Sequence, residues 1–114
     1  MQSNHGAEGW WVQSDHVRAH VTAVGGMLAP AEFKLGDRVV SPYSVSPWQP
    51  DEFGDDVPAL LRFLRGDFFC LPFGPQDDGA PHGDPANARW TGDVGASGAL
   101  ELSIDCGDSG ATVS

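Results

Sequence analysis

The stretch that decides the fold is Val17-Arg18-Ala19-His20-Val21-Thr22-Ala23-Val24-Gly25-Gly26-Met27-Leu28-Ala29-Pro30. Val17, Ala19, Val21 and Ala23 alternate with Arg18, His20, Thr22 and Val24, the period of two that a half-covered strand requires. That pattern puts His20 on the polar face, in solvent. Gly25-Gly26 supplies a turn. Met27 to Leu35 reads as the next strand, interrupted at Pro30, and Gly36-Asp37 turns it into Arg38-Val39-Val40. Trp10 to Val12 is a strand before the stretch. Strands joined by short turns make a β-meander.

Outward from this centre the signals weaken. Residues 1 to 9 are polar and glycine-containing and are expected to be disordered. Pro42, Pro47 and Pro50 remove ladder donors, so their region reads as loop or edge. One helix is expected from Val57 to Leu64. Asp55 or Asp56 caps it, Pro58 fits its first turn, Gly66 ends it, and Leu60, Leu61 and Leu64 form its apolar face. Phe68 to Leu71 is unbroken in apolarity and reads as a buried strand, and residues 75 to 85 as a loop. Leu100 to Ile104 alternates again, and Ala111 to Val113 starts a further strand. The expected fold is all-β: antiparallel sheets of a β-sandwich with one short helix.

The chain has 114 residues and a formal net charge of -10, enough for one small domain with a modest core. So acidic a chain is a poor partner for nucleic acid or an anionic membrane, both of which call for clustered Lys and Arg. No apolar run is long enough to span a bilayer. The first residues show neither the charged nor the apolar region of a secretory signal, so a cytoplasmic setting is expected. Cys70 and Cys106 then read as reduced thiols. No Cys/His spacing suits a structural zinc, and Asp77-Asp78 with His82 and Asp84 lacks the register of a calcium loop. No metal is expected.

The chemistry-bearing residues gather downstream. Arg65-Gly66 opens the run Asp67-Phe68-Phe69-Cys70, Pro72-Phe73-Gly74 closes it, and His82-Gly83, Asn87, Arg89 and Trp90 follow. Taken with Gly25-Gly26-Met27-Leu28-Ala29-Pro30, this ordered set resembles aldose 1-epimerase-like proteins of the galactose mutarotase superfamily, nearest to the hexose-6-phosphate epimerase branch. The resemblance covers most of residues 18 to 105. It implies a large β-sandwich, of which residues 1–114 form the N-terminal part as one partial domain. It also implies sugar binding, interconversion of anomers by ring opening and reclosure, and no cofactor. In that family the catalytic histidine and glutamate lie downstream of the segment that matches. The chain alone is therefore expected to be inactive, and its open strand edges to favour self-association. The competing reading is a non-catalytic sugar-binding or regulatory module.

By the resemblance, Arg65 and His82 contact substrate. Arg65 suits a sugar or a phosphate through bidentate bonding. On its residues alone it is equally a helix C-terminal arginine favoured by the macrodipole, and His82 equally a solvated loop histidine. The branch carries an arginine four residues after the histidine, where this chain has Ala86, so Asn87 and Arg89 are the substitutes. A neutral sugar and a sugar phosphate both stay open. Trp90 reads as core. Gly107-Asp108-Ser109-Gly110 resembles the nucleophile turn of trypsin-like serine proteases. No matching histidine segment exists around His16 or His20, so it reads as a hairpin turn.

Overall fold

The computed structural model describes residues 1–107 and 111–114. Its elements form two antiparallel sheets with short helical turns between them, as expected for an all-β fold. The first sheet is a five-stranded meander: β1 (Gln2–Asn4), β2 (Ala7–Gln13), β3 (Val17–Thr22), β4 (Leu28–Leu35) and β5 (Arg38–Val40), in that order. The second holds β6 (Thr91–Val94), β7 (Leu100–Cys106) and β8 (Ala111–Val113). Asp108, Ser109 and Gly110 of the protease-like turn lie outside the described residues.

The ends of the first sheet correct two expectations. Residues 1 to 9 are not disordered: Gln2 pairs with Gly9 and Asn4 with Ala7 in a tight hairpin, and Ala7 is fully buried. Pro30 does not interrupt its strand. Between Ala19 and Val21 of β3 the partner shifts from Ala31 to Leu28, so β4 carries an extra residue there. A bulge leaves one residue outside the ladder, which suits a proline that has no N–H to donate.

His20 departs furthest from its pattern, for it is fully buried. Its partner across the ladder is Trp11, whose ring meets the imidazole edge-on at 4.9 Å. Two residues before Trp11 on β2 stands Gly9, where a Cβ would lie 2.7 Å from His20 Cε1. The missing side chain lets the imidazole cross β2, and its Nε2 donates to the Gln2 carbonyl at 3.1 Å. The face expected in water is covered by the hairpin that the composition hid.

The core is small and split. Met27, Leu60 and Ala86 form one cluster, with Phe63, Leu64 and Phe68 against it. Trp90, Ile104 and Cys106 form the other, so Trp90 is core as expected. Its indole N–H donates to the Pro85 carbonyl at 2.8 Å, which makes the burial of that polar atom tolerable. The two sheets meet where Trp10 approaches Gly92, the indole lying 3.0 Å from the place of a Cβ. Backbone bonds from Trp90 to Ala23 and from Gly25 to Ala88 fasten the same junction.

The expected helix is shorter, α1 (Ala59–Phe63), and neither Asp55 nor Asp56 caps it. Its Leu60 N–H is taken by Asn87 Oδ1 at 2.9 Å, a cap supplied from 27 residues away. Asn87 closes a second short helix that the loop reading missed, α2 (Asp84–Asn87), with Pro85 in its first turn. Phe68 to Leu71 is not a buried strand. Asp67 pairs with Leu28 and Leu71 with Gly83, and between those bridges Phe69 is 50 % exposed. An unbroken apolar run here divides its side chains between core and surface.

Candidate functional site

Arg65 follows the last turn of α1 and is 2 % exposed. Its Nε donates to the Phe63 carbonyl at 3.0 Å, one terminal nitrogen to the Asn4 carbonyl at 3.0 Å and to Asn4 Oδ1 at 3.4 Å, and the other to the His5 carbonyl at 3.3 Å. All three guanidinium nitrogens are thus spent within the chain. Burial lowers its pKa from the ordinary arginine value. The ligand role expected for Arg65 is not what its contacts serve: it fastens the N-terminal hairpin to the segment after α1.

Arg89 bridges Val24 at the junction of the sheets. Its guanidinium pairs with Glu8 at 3.1 Å, both side chains more than half exposed, and touches Met1 Sδ at 3.7 Å. Such an exposed pair contributes little to stability.

His82 is held differently. Its φ is +66°, a left-handed conformation unusual for a residue with a side chain. The backbone fixes it on both sides: His82 N–H donates to Gly74 O at 2.9 Å and Leu71 N–H to His82 O at 3.0 Å. Gly74 N–H donates in turn to His82 Nδ1 at 3.0 Å. An Nδ1 that accepts puts the proton of the neutral ring on Nε2. Nε2 has no hydrogen-bond partner among the described residues and is not enclosed. The imidazole meets Phe73 edge-on at 4.9 Å and Phe68 at 6.0 Å. Phe73 is 82 % exposed.

Two neighbours make this turn possible. Gly83 has φ +79°, and a Cβ there would run into the Leu71 carbonyl. Asn87 donates through Nδ2 to the carbonyls of Pro81 at 2.7 Å and Gly83 at 2.8 Å. With its bond to Leu60, the amide is fully engaged inside the protein. Of the four residues singled out in the sequence, the structure therefore brings His82 and Asn87 together and leaves Arg65 and Arg89 elsewhere.

Beside the turn lies an open hollow of about 410 Å³ reached by Leu71, Pro72, Asp77, Gly83 and Asp84. On the other side of the Phe68-Phe69 corner, Gly26, Leu28 and Asp67 border a shallower one of about 310 Å³. Burial, then Asp67, raises the Cys70 thiol pKa; burial, then Asp84 and Asp105, raises that of Cys106. Neither thiol is therefore primed as a nucleophile. Among the described residues no three His, Cys, Asp or Glu side chains stand together as a metal centre would need. No helix among them is long and apolar enough to cross a membrane.

Reading the sequence did not find Phe73 or Gly74 as partners of His82. Pro72-Phe73-Gly74 looked like the end of a strand, and only the fold shows that it returns beside the histidine. No family model, no curated protein and no solved structure matches this chain.

Proposed function

We propose that this chain carries a carbohydrate-binding surface of an aldose 1-epimerase-like protein, with the sugar lying against Phe73 and accepting a hydrogen bond from His82 Nε2–H. The observation that carries the reading is the Gly74 N–H on His82 Nδ1. It fixes the imidazole as a donor at Nε2, next to a phenyl ring that is 82 % exposed. A sugar presents both complements: hydroxyl or ring oxygens that accept, and C–H faces that pack on an aromatic ring. A small set of placed polar groups beside apolar surface is the usual make-up of such a site.

In this reading His82 binds and polarises; it does not transfer protons. Ring opening needs a base and an acid within reach of their protons, and a histidine whose Nδ1 already accepts from the backbone supplies one fixed donor. The committed arginines favour an uncharged sugar over its phosphate, since Arg65 is engaged with three carbonyls and Arg89 with Glu8. The test is an NMR titration of the labelled chain with glucose, galactose and glucose 6-phosphate. Shifts should concentrate on the Phe73 ring, the His82 ring and the Gly74 amide, and in His82→Ala those of Phe73 and Gly74 should need roughly tenfold more sugar. Absence of any shift there at high sugar concentration would sink the reading.

A further inference from the structure

The geometry points to Asn87 as a positioning residue for His82: its amide bridges the two carbonyls that flank the histidine and so holds Nε2–H toward the ligand. The role of His82 within this inference rests on the carbohydrate reading above, whereas the hold itself does not. Asn87 Nδ2 has two hydrogens, and each goes to one side of the turn, to Pro81 O at 2.7 Å and to Gly83 O at 2.8 Å. His82 stands between them at φ +66°. A side-chain-bearing residue stays left-handed only where its surroundings over-determine it, and the Asn87 bridge supplies that constraint from outside the turn.

The third bond gives the bridge a rigid base. Asn87 Oδ1 accepts from Leu60 N–H, and Leu60 is buried in the Met27–Ala86 cluster. The turn is thereby tied to the start of α1 and through it to the core. Asparagine suits this place because one planar group must donate twice and accept once. Aspartate has the same shape and can still accept from Leu60, but it has no hydrogen for either carbonyl. The expectation that Asn87 itself meets the ligand gives way to action through His82.

Asn87→Asp in the full chain separates these roles. In wild type, the His82 ring nitrogens should show one tautomer with the proton on Nε2. Through-bond couplings should link Asn87 Nδ2 to the Pro81 and Gly83 carbonyl carbons. In Asn87→Asp, with circular dichroism unchanged, the His82 ring pattern and the Gly74 amide should both move. Affinity for glucose or galactose should drop about tenfold, the scale of one well-placed hydrogen bond. In a His82→Ala background the same substitution should cost no further affinity. An unmoved His82 pattern in folded Asn87→Asp overturns the inference, as does full additivity of the two losses. If Asn87→Asp does not fold, the wild-type couplings decide, and their absence overturns it. If wild type binds neither hexose, the carbohydrate reading falls, and the ring pattern still decides whether Asn87 holds His82.

Discussion

His20 and His82 occupy opposite situations in one small protein. His20 is fully buried in the first sheet. Its Nε2 is spent on Gln2 O, and its Nδ1 is enclosed with no partner. His82 has the reverse arrangement: Nδ1 is spent on Gly74 N–H, and Nε2 stands open beside an exposed ring. Each has a cation or ring near it that the sequence alone would offer to a ligand. Around His20 the guanidinium of Arg65 is turned inward to the hairpin carbonyls. Around His82 the Phe73 ring is turned outward, while Phe68 packs on the core. The difference shows that residue type sets what a side chain can do, and the direction of its unspent atoms sets whether it does so inside or outside the fold.

The largest effect should come from the inward side. Arg65→Met keeps the length of the buried stem and removes every donor, leaving the carbonyls of Asn4, His5 and Phe63 without it. Hydrogen bonds from a charged donor contribute about 1.5–3 kcal/mol each, and they are not additive. A loss on the order of 3 kcal/mol in unfolding free energy is expected by denaturant titration, with the hairpin amides exchanging first. Should Arg65→Met keep wild-type stability and lose hexose binding instead, the two regions would have to change places.

Next comes the outward turn. Gly83→Ala puts a Cβ into the Leu71 carbonyl at a φ of +79°. A strained backbone of this kind costs about 1–3 kcal/mol. Thermal unfolding should drop accordingly, and the His82–Gly74 contacts should loosen in amide exchange before the first sheet does. Equal loosening of both regions would mean that they are not separable units.

The pH dependence sharpens the same contrast. Burial lowers the His20 pKa below 6.5, Arg65 lowers it further, and the bond to Gln2 O opposes them. The folded state thus binds fewer protons than the unfolded state once the pH falls below about 6.5. Stability due to this group is whole above that pH and declines as the pH falls through the folded pKa. The slope is at most about 1.4 kcal/mol per pH unit for one proton. Urea titrations between about pH 7 and 5 should show it in wild type and not in His20→Gln. A slope that survives in His20→Gln would assign the effect to another group.

How much of this was legible depended on whether a signal was local. Alternation from Val17 to Ala23, the Gly25-Gly26 turn and the Leu100 to Ile104 pattern are carried by neighbours in sequence, and the sheets follow them. The burial of His20 depends on Gly9, eleven places earlier, and on a hairpin whose polar residues resemble a frayed end. The cap of α1 sits at Asn87 while two aspartates stand at the expected place. The strand β6 is exposed along its whole length, so it has no alternation to detect. The same rule held for the site: the histidine could be singled out by type, but Gly74 N–H and Phe73 reach it only through the return of the chain.

Phe73→Ala should be the mildest change to the fold and the most informative for the site. With 82 % of the residue exposed, little apolar surface is returned to water on truncation. Substitutions at such positions usually alter stability by no more than about 0.5 kcal/mol. Its contact with the His82 ring is edge-on at 4.9 Å, and the Gly74 bond that fixes the tautomer does not involve the phenyl group. The folded variant should therefore keep the wild-type His82 ring pattern and its melting temperature, while hexose affinity falls severalfold. An aromatic contact contributes about 0.5–1.5 kcal/mol beyond its area, which sets that scale. Phe73→Tyr should restore most of the affinity, because the ring face returns. If both variants bind as wild type does, the exposed phenyl is no sugar platform. If Phe73→Ala instead destabilises the fold by several kcal/mol, the ring serves the interior after all, and the contrast between the two histidines fails at its outward end.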